Sequence, residues 1–220
     1  MKNIEENSVT LEGRVETSLK FEYRQEDISF FCFTLAVKRP SGNIDYVPCS
    51  VSSHVIKSKR NWKNREIRIK GKLSYCIKLI EGRYQDEVQV NVLKIELINR
   101  KKVDANNVLL LGKIAKISKP PVTANTGSMP IDINILVEKA NGRREFFPVV
   151  IWMDSLSDYR KIKKGMYIKL VGRIQVKEIY GRTICKVTTN GVEVVKKRWG
   201  SYIKSKLDRE NCKNIVLSIY

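Results

Sequence analysis

Val9-Thr10-Leu11-Glu12-Gly13-Arg14-Val15 is followed, ninety-nine residues later, by Val108-Leu109-Leu110-Leu111-Gly112-Lys113-Ile114. Both stretches carry a glycine at the same place in an apolar run. Further correspondences follow in the same order. Gly42 precedes Pro48 as Gly142 precedes Pro148. Ile67-Arg68-Ile69-Lys70-Gly71-Lys72-Leu73 matches Ile168-Lys169-Leu170-Val171-Gly172-Arg173-Ile174. Gly82-Arg83 with Val88 matches Gly181-Arg182 with Val187, and the offset stays between 99 and 101 throughout. Ordered matches at a constant offset define a duplicated unit of about 95 residues.

Each unit alternates with period two, as half-buried strands do. Val9, Leu11, Gly13 and Val15 share one parity. So do Phe31, Phe33, Leu35 and Val37, matched by Ile133, Ile135 and Val137. Val47, Cys49 and Val51 match Phe147, Val149 and Ile151. Ile67, Ile69 and Leu73 match Ile168, Leu170 and Ile174, and Val88, Val90 and Val92 form a fifth strand. Ser41-Gly42-Asn43 and Asn141-Gly142 read as hairpin turns. Gly71 and Gly172, inside strands, predict a bulge or a sharp bend. Ser52–Lys63 and Met153–Lys164 each have room for a short helix, with a helix start at Asp154-Ser155-Leu156. The predicted fold is all-β: two tandem five-stranded OB barrels, each with one short helix between strands 3 and 4. The first barrel occupies residues 1–102, the second 103–198, and a basic C-terminal tail 199–220. Arg100-Lys101-Lys102, within Asn99–Asn106, reads as an exposed hinge.

Composition narrows the function. Lys and Arg number 42 against 23 Asp and Glu, a net charge of +19 spread along the whole chain. A polyanionic partner is expected: nucleic acid or an anionic membrane surface. The amphipathic helix a membrane surface would require is absent from the sequence pattern, and no apolar run approaches the length of a membrane span. The N-terminus carries no export signal, so a cytoplasmic protein is expected. Cys32, Cys49, Cys76, Cys185 and Cys212 are scattered, and His54 is the single histidine. Clustered zinc ligands are lacking, so neither metal nor cofactor is expected. Phosphate-loop and Ser-His-Asp patterns are missing too. Acidic pairs such as Glu26-Asp27 and Asp86-Glu87 sit in loops and ends, so catalysis on a strand is not expected.

The residues opposite the core parity point to the ligand. Phe146 and Trp152 fall on the outward parity of one strand, and Tyr46 occupies the matching place in the first unit, where Ser52 replaces Trp152. Arg68, Lys70 and Lys72, then Lys169 and Arg173, make the next outward face cationic. Lys38, Arg39, Arg143 and Arg144 flank the hairpin turns. Tyr75, Lys78, Arg83 and Tyr84, then Lys177, Tyr180 and Arg182, fall in what read as long loops. Rings stack on bases while Lys and Arg neutralise phosphates, a combination suited to an unpaired strand. Other roles stay open for individual residues. Trp152 could cap the barrel core, Tyr46 and Phe146 could be contacts between barrels, and Trp62 could pack a helix on its barrel.

The pattern Asn7…Val9-x-Leu11-x-Gly13-Arg14-Val15, Phe33-x-Leu35-x-Val37-Lys38-Arg39, Asp45-Tyr46-Val47-Pro48-Cys49 and Ile69-x-Gly71-x-Leu73 resembles the bacterial single-stranded DNA-binding protein family. The second unit resembles it again through Asn107-Val108, Gly112-Lys113-Ile114, Phe147-Pro148-Val149 and Val171-Gly172-Arg173. The likeness is nearest to tandem two-barrel members and touches the primosomal OB protein in form. It implies sequence-tolerant binding of single-stranded DNA, stacking at Tyr46, Phe146 and Trp152, and a homodimer bringing four OB barrels together. The family's acidic C-terminal tip has no counterpart, since Lys204 to Tyr220 is basic and then apolar. Recruitment of repair enzymes by that route is therefore not expected. Three rivals remain: an RNA-binding or replication-restart module, a protein-binding scaffold, and an OB-fold nuclease.

Overall fold

The computed structural model describes residues 7–56, 62–80, 82–99, 104–120, 128–139, 142–179 and 182–195. The first unit contains β1 (Asn7–Val15), β2 (Lys20–Gln25), β3 (Ile28–Lys38), β4 (Ile44–Ser52), β5 (Glu66–Ile80) and β6 (Arg83–Leu97). The second contains β7 (Asn106–Ile117), β8 (Met129–Glu138), β9 (Arg144–Met153), helix α1 (Leu156–Lys161), β10 (Tyr167–Ile179), β11 (Arg182–Thr189) and β12 (Val192–Val195). Each unit closes on itself. The order β1-β5-β6-β4-β3 returns to β1, and β7-β10-β11-β9-β8 returns to β7. These are the two OB barrels expected from the repeat.

The inward parity forms the core. Leu11, Leu35, Val47, Ile69 and Val90 are fully buried in the first barrel, as are Ile135, Phe147, Ile168 and Ile174 in the second. Burying each such side chain contributes roughly 1.5–3 kcal/mol. Phe31 is only half-buried against this core. Gly172 lies against β11 with no room for a side chain: a Cβ there would sit 2.5 Å from the Thr188 carbonyl oxygen. Gly71 meets the carbonyl of Asn91 in the same way. The predicted irregularity is present in the first barrel, where the β5–β6 register shifts between Lys70 and Gly71. In the second barrel, Asn190-Gly191 separates β11 from β12 instead.

One strand goes beyond those read from the sequence, and three expectations need correction. Lys20–Gln25 is a strand, β2, paired with β3 through a turn in which Glu26 has φ 53. The segments read as loops between the fourth and fifth strands are hairpin arms, laddered as far as Ile80↔Arg83 and Ile179↔Arg182. The first arm is also the longer, with 15 residues in β5 against 13 in β10. Val187 pairs with Val149 as Val90 pairs with Cys49, so Val187 corresponds to Val90 rather than Val88. The end of the supposed hinge is ordered: Asp104 is buried and accepts from the Lys38 N–H at 2.6 Å. Arg100, Lys101 and Lys102 lie outside the described residues, as does the tail 199–220.

Helix α1 forms where predicted, with Ser155 as N-cap accepting from the Asp158 N–H at 3.2 Å. In the first unit Ser53–Val55 is a turn, and the remainder of the expected helix, 57–61, lies outside the described residues.

The barrels are fused through β1 and β7, which pair antiparallel with Val9 opposite Val108. Because these two residues are repeat counterparts, the barrels are related by an approximate two-fold axis through that pair. Asn7 holds the main chain of Leu73 with two hydrogen bonds of 2.8 Å. Asn106 does the same to Ile174 at 2.9 and 2.8 Å. The counterpart of Asn7 is therefore Asn106, not Asn107.

Candidate nucleic-acid interface

On the second barrel the outward row of β9 presents Phe146, 48% exposed, and Trp152, 38% exposed. Strand register sets their neighbours: Val150 lies beside Thr188, and Thr188 beside Arg173. The Trp152 Nε1 donates to the buried Thr188 Oγ1 at 3.0 Å, which fixes the indole against the barrel wall while leaving it partly open. Thr188 and Arg173 also line a groove of about 820 Å³ with Lys169, Gly172 and Asn190. Arg173 and Lys177 are exposed. Lys169 is half-buried, 4.0 Å from Glu193, and Arg144 is exposed, 3.9 Å from Glu138. Lys186 reaches across β9 to Asp132 at 2.7 Å.

On the first barrel Tyr46 is 49% exposed, and Ser50 and Ser52 follow it on β4. The ring missing at Ser52 is supplied by a neighbouring strand. Phe30 pairs with Ser52 and stacks on Tyr23 of β2, with ring centroids 4.7 Å apart and planes 13° apart. Phe21, exposed, meets Phe31 edge-on at 6.1 Å. The outward parity of β3 contained Phe30 all along. The signal for the rest is the charged–aromatic alternation Lys20-Phe21-Glu22-Tyr23-Arg24 ahead of a turn.

These rings border a groove of about 850 Å³ that both barrels build. Ser50, Ser74, Gln89 and Asn91 line it from the first barrel. Lys139, Arg143 and Glu145 line it from the turn of the second. Lys70 and Lys72 are exposed, with Lys72 directly across from Asn91.

Other predicted residues sit differently. Tyr75 lies on strand β5 rather than in a loop, half-buried against the core. Arg68 is engaged by Glu12, its Nε donating at 2.6 Å, and lies 3.7 Å from Glu96. Arg39 is held by buried Asp45 through Nε at 2.6 Å and through its Nη2, and this hydrogen bonding raises the guanidinium pKa further. Lys38 is exposed. Tyr84 falls on β6 opposite Leu79, with its side chain outside the described set, and Tyr180 lies outside the described residues. Trp62 packs beside Val15, Phe33 and Ile67 at one end of the first barrel.

Cys49 and Cys185 are buried, which pushes both thiols up, Cys185 to about 12, and keeps them protonated and unreactive. Among the described residues no group of three or more His, Cys, Asp or Glu could hold a metal ion. Among them, too, no helix is long and apolar enough to cross a membrane.

No protein-family model and no curated protein matches the sequence. Solved structures do match. The wild-type single-stranded DNA binding protein from Thermus aquaticus is 20% identical, covering 87% of this chain and 93% of that one, with a TM-score of 0.70. A deletion mutant of the same protein is also 20% identical, covering 87% and 95%, with a TM-score of 0.69. The N-terminal domain of PriB from Thermoanaerobacter tencongensis is 27% identical over 44% of this chain and all of its own, with a TM-score of 0.38. The Thermus likeness establishes a shared architecture of tandem OB barrels.

Proposed function

We propose that this chain binds single-stranded DNA without sequence specificity and performs no chemistry on it. The observation that carries the reading is the set of exposed and half-exposed rings on the outward faces of both barrels. Trp152 and Phe146 stand on one, Tyr46 and the Tyr23–Phe30 stack on the other, with Arg173, Lys177, Lys70 and Lys72 among them. Each ring stacked on a base contributes roughly 1–3 kcal/mol, and duplex DNA hides the base faces that rings need. The net charge of +19 and the architecture shared with a single-stranded DNA binding protein support the same conclusion. Such a protein protects unpaired strands during replication, recombination, repair or transfer. Two barrels per chain suit a homodimer of four, which light scattering measures.

Fluorescence titration with single- and double-stranded oligomers of DNA, and with RNA of equal length, tests the proposal. Single strands should quench tryptophan emission and bind well ahead of duplex. Equal affinity for duplex and single strand would remove the basis for stacking, and a preference for RNA would redirect the function.

A further inference from the structure

The α1 end of the second barrel gathers cations without acidic partners. Lys113 and Lys116 on β7, Lys119 just beyond it, Arg160 on α1, and Lys163 and Lys164 after α1 are all exposed. None of the six has an ion pair among the described residues. The backbone brings them together. The Gly165 N–H donates to the Ile114 carbonyl at 2.8 Å, and the Ile114 N–H to that of Met166 at 2.8 Å. The Tyr159 hydroxyl donates to the Ser118 carbonyl at 3.3 Å. Helix and turn therefore lie along the end of β7. Of the acids in these segments, Asp158 is taken by Lys161 at 2.7 Å, which leaves Asp154 against six cations. The first barrel is arranged differently. Arg14, the repeat counterpart of Lys113, has Glu16 at 3.3 Å, whereas Lys113 is followed by Ala115 and Lys116. Like charges gathered on one surface repel one another, a cost that a bound polyanion removes.

The place of this surface beside Trp152 identifies the polyanion. Trp152 leads through Met153 and Asp154 into Ser155, the N-cap of α1. Trp152 also pairs with Pro130 of β8. Two residues on, the Asp132 carbonyl accepts from the Ser118 N–H at 2.8 Å, and the Asp132 N–H donates to Ser118 Oγ at 3.1 Å. Lys119 thus lies two strand spacings from β9, roughly 10 Å. We propose that this end of the barrel holds the phosphates of a single strand running on past Trp152. The inference rests on the single-strand binding proposed above and extends its path beyond the ringed faces. Tyr159 is half-buried with its hydroxyl engaged, so α1 grips backbone and does not stack on bases. The contact is indifferent to base identity, silent in tryptophan fluorescence, and open only to oligomers long enough to pass Trp152.

Titration of the full chain with oligo(dT) of increasing length, at several salt concentrations, separates this surface from the rings. Each single-strand phosphate neutralised steepens log affinity against log salt by about 0.7. In a variant combining Arg160→Ala, Lys163→Ala and Lys164→Ala, the slope for long oligomers should fall by about 2, with the quenching amplitude retained. For the shortest oligomer that saturates quenching, the slope should not change. Lys163→Arg with Lys164→Arg keeps the charge and should leave both slopes intact. An unchanged slope on long oligomers overturns the inference. So does an equal loss on short and long ones, which a diffuse field produces. A slope that grows only when the extension is duplex assigns the surface to paired DNA and overturns it as well. If the triple variant does not fold, Lys113→Ala with Lys116→Ala, on the strand instead of the helix, gives the same test with a fall of about 1.4. Failure of the unmodified chain to bind oligomers of every length overturns the parent reading instead.

Discussion

The turn of the first barrel that ends in Arg39 and Asp45 meets β10 of the second barrel. The turn containing Lys139 and Glu145 meets the first barrel across the approximate two-fold axis. Both use a cation and a buried carboxylate six residues apart. The first is saturated, because a guanidinium fork fills both carboxylate oxygens and a main-chain N–H adds a third donor. The second is not, because an ammonium reaches one oxygen and leaves the other without a donor among the described residues. Duplication thus preserved the placement of the contact while its chemistry diverged: one copy is a fastening, the other has an acceptor to spare. The outward rings diverged in parallel. Trp152 stands where the first barrel has Ser52, and β2, which has no counterpart among the described residues of the second barrel, brings Tyr23 to the gap.

The largest expected effect falls on the saturated contact. Arg39→Ala leaves Asp45 buried and short of its charge partner, and should destabilise the protein by about 3–5 kcal/mol. Lys139→Ala should cost about 1–3 kcal/mol. Urea midpoints measure both, and equal losses would erase the distinction drawn between the contacts. Next comes the ring that diverged. Trp152→Ala should weaken strand binding by about 1–3 kcal/mol and abolish most of the fluorescence quenching. Tyr23→Ala should cost less, because Phe30 still offers a face; the reverse order would make the first barrel the dominant one. The smallest effect concerns charge. Lys177→Ala should reduce the slope of log affinity against log salt by about 0.7. Arg68→Ala should leave the slope nearly unchanged because Glu12 already occupies the guanidinium. A matching change from Arg68 would mean that Glu12 yields to phosphate.

The barrels were legible because each main strand buries one face, so Leu11, Val47 or Ile168 announces its parity through its neighbours. β2 was not legible. Neither of its faces joins the core, and Lys20 to Arg24 reads as a charged stretch unless its rings are noticed. Matching Val187 to Val88 rather than Val90 was invisible because a slip of two residues preserves strand parity. The outward rings were found from parity alone, and Tyr46, Phe146 and Trp152 are indeed exposed. The carboxylates that engage Arg39 and Arg68 lie across a turn or on another strand, where linear reading does not pair them. Glu145 is the clearest omission: only the packing of the barrels brings it to the groove that Gln89 also lines.

A polynucleotide has a chemical direction, and the pairing of Val9 with Val108 gives that direction a consequence. Where a strand runs across that axis, two faces exchanged by the rotation meet it from opposite senses: what enters one from its 5′ side enters the other from its 3′ side. A single strand crossing the axis to visit both must either reverse course between them or read the second backwards.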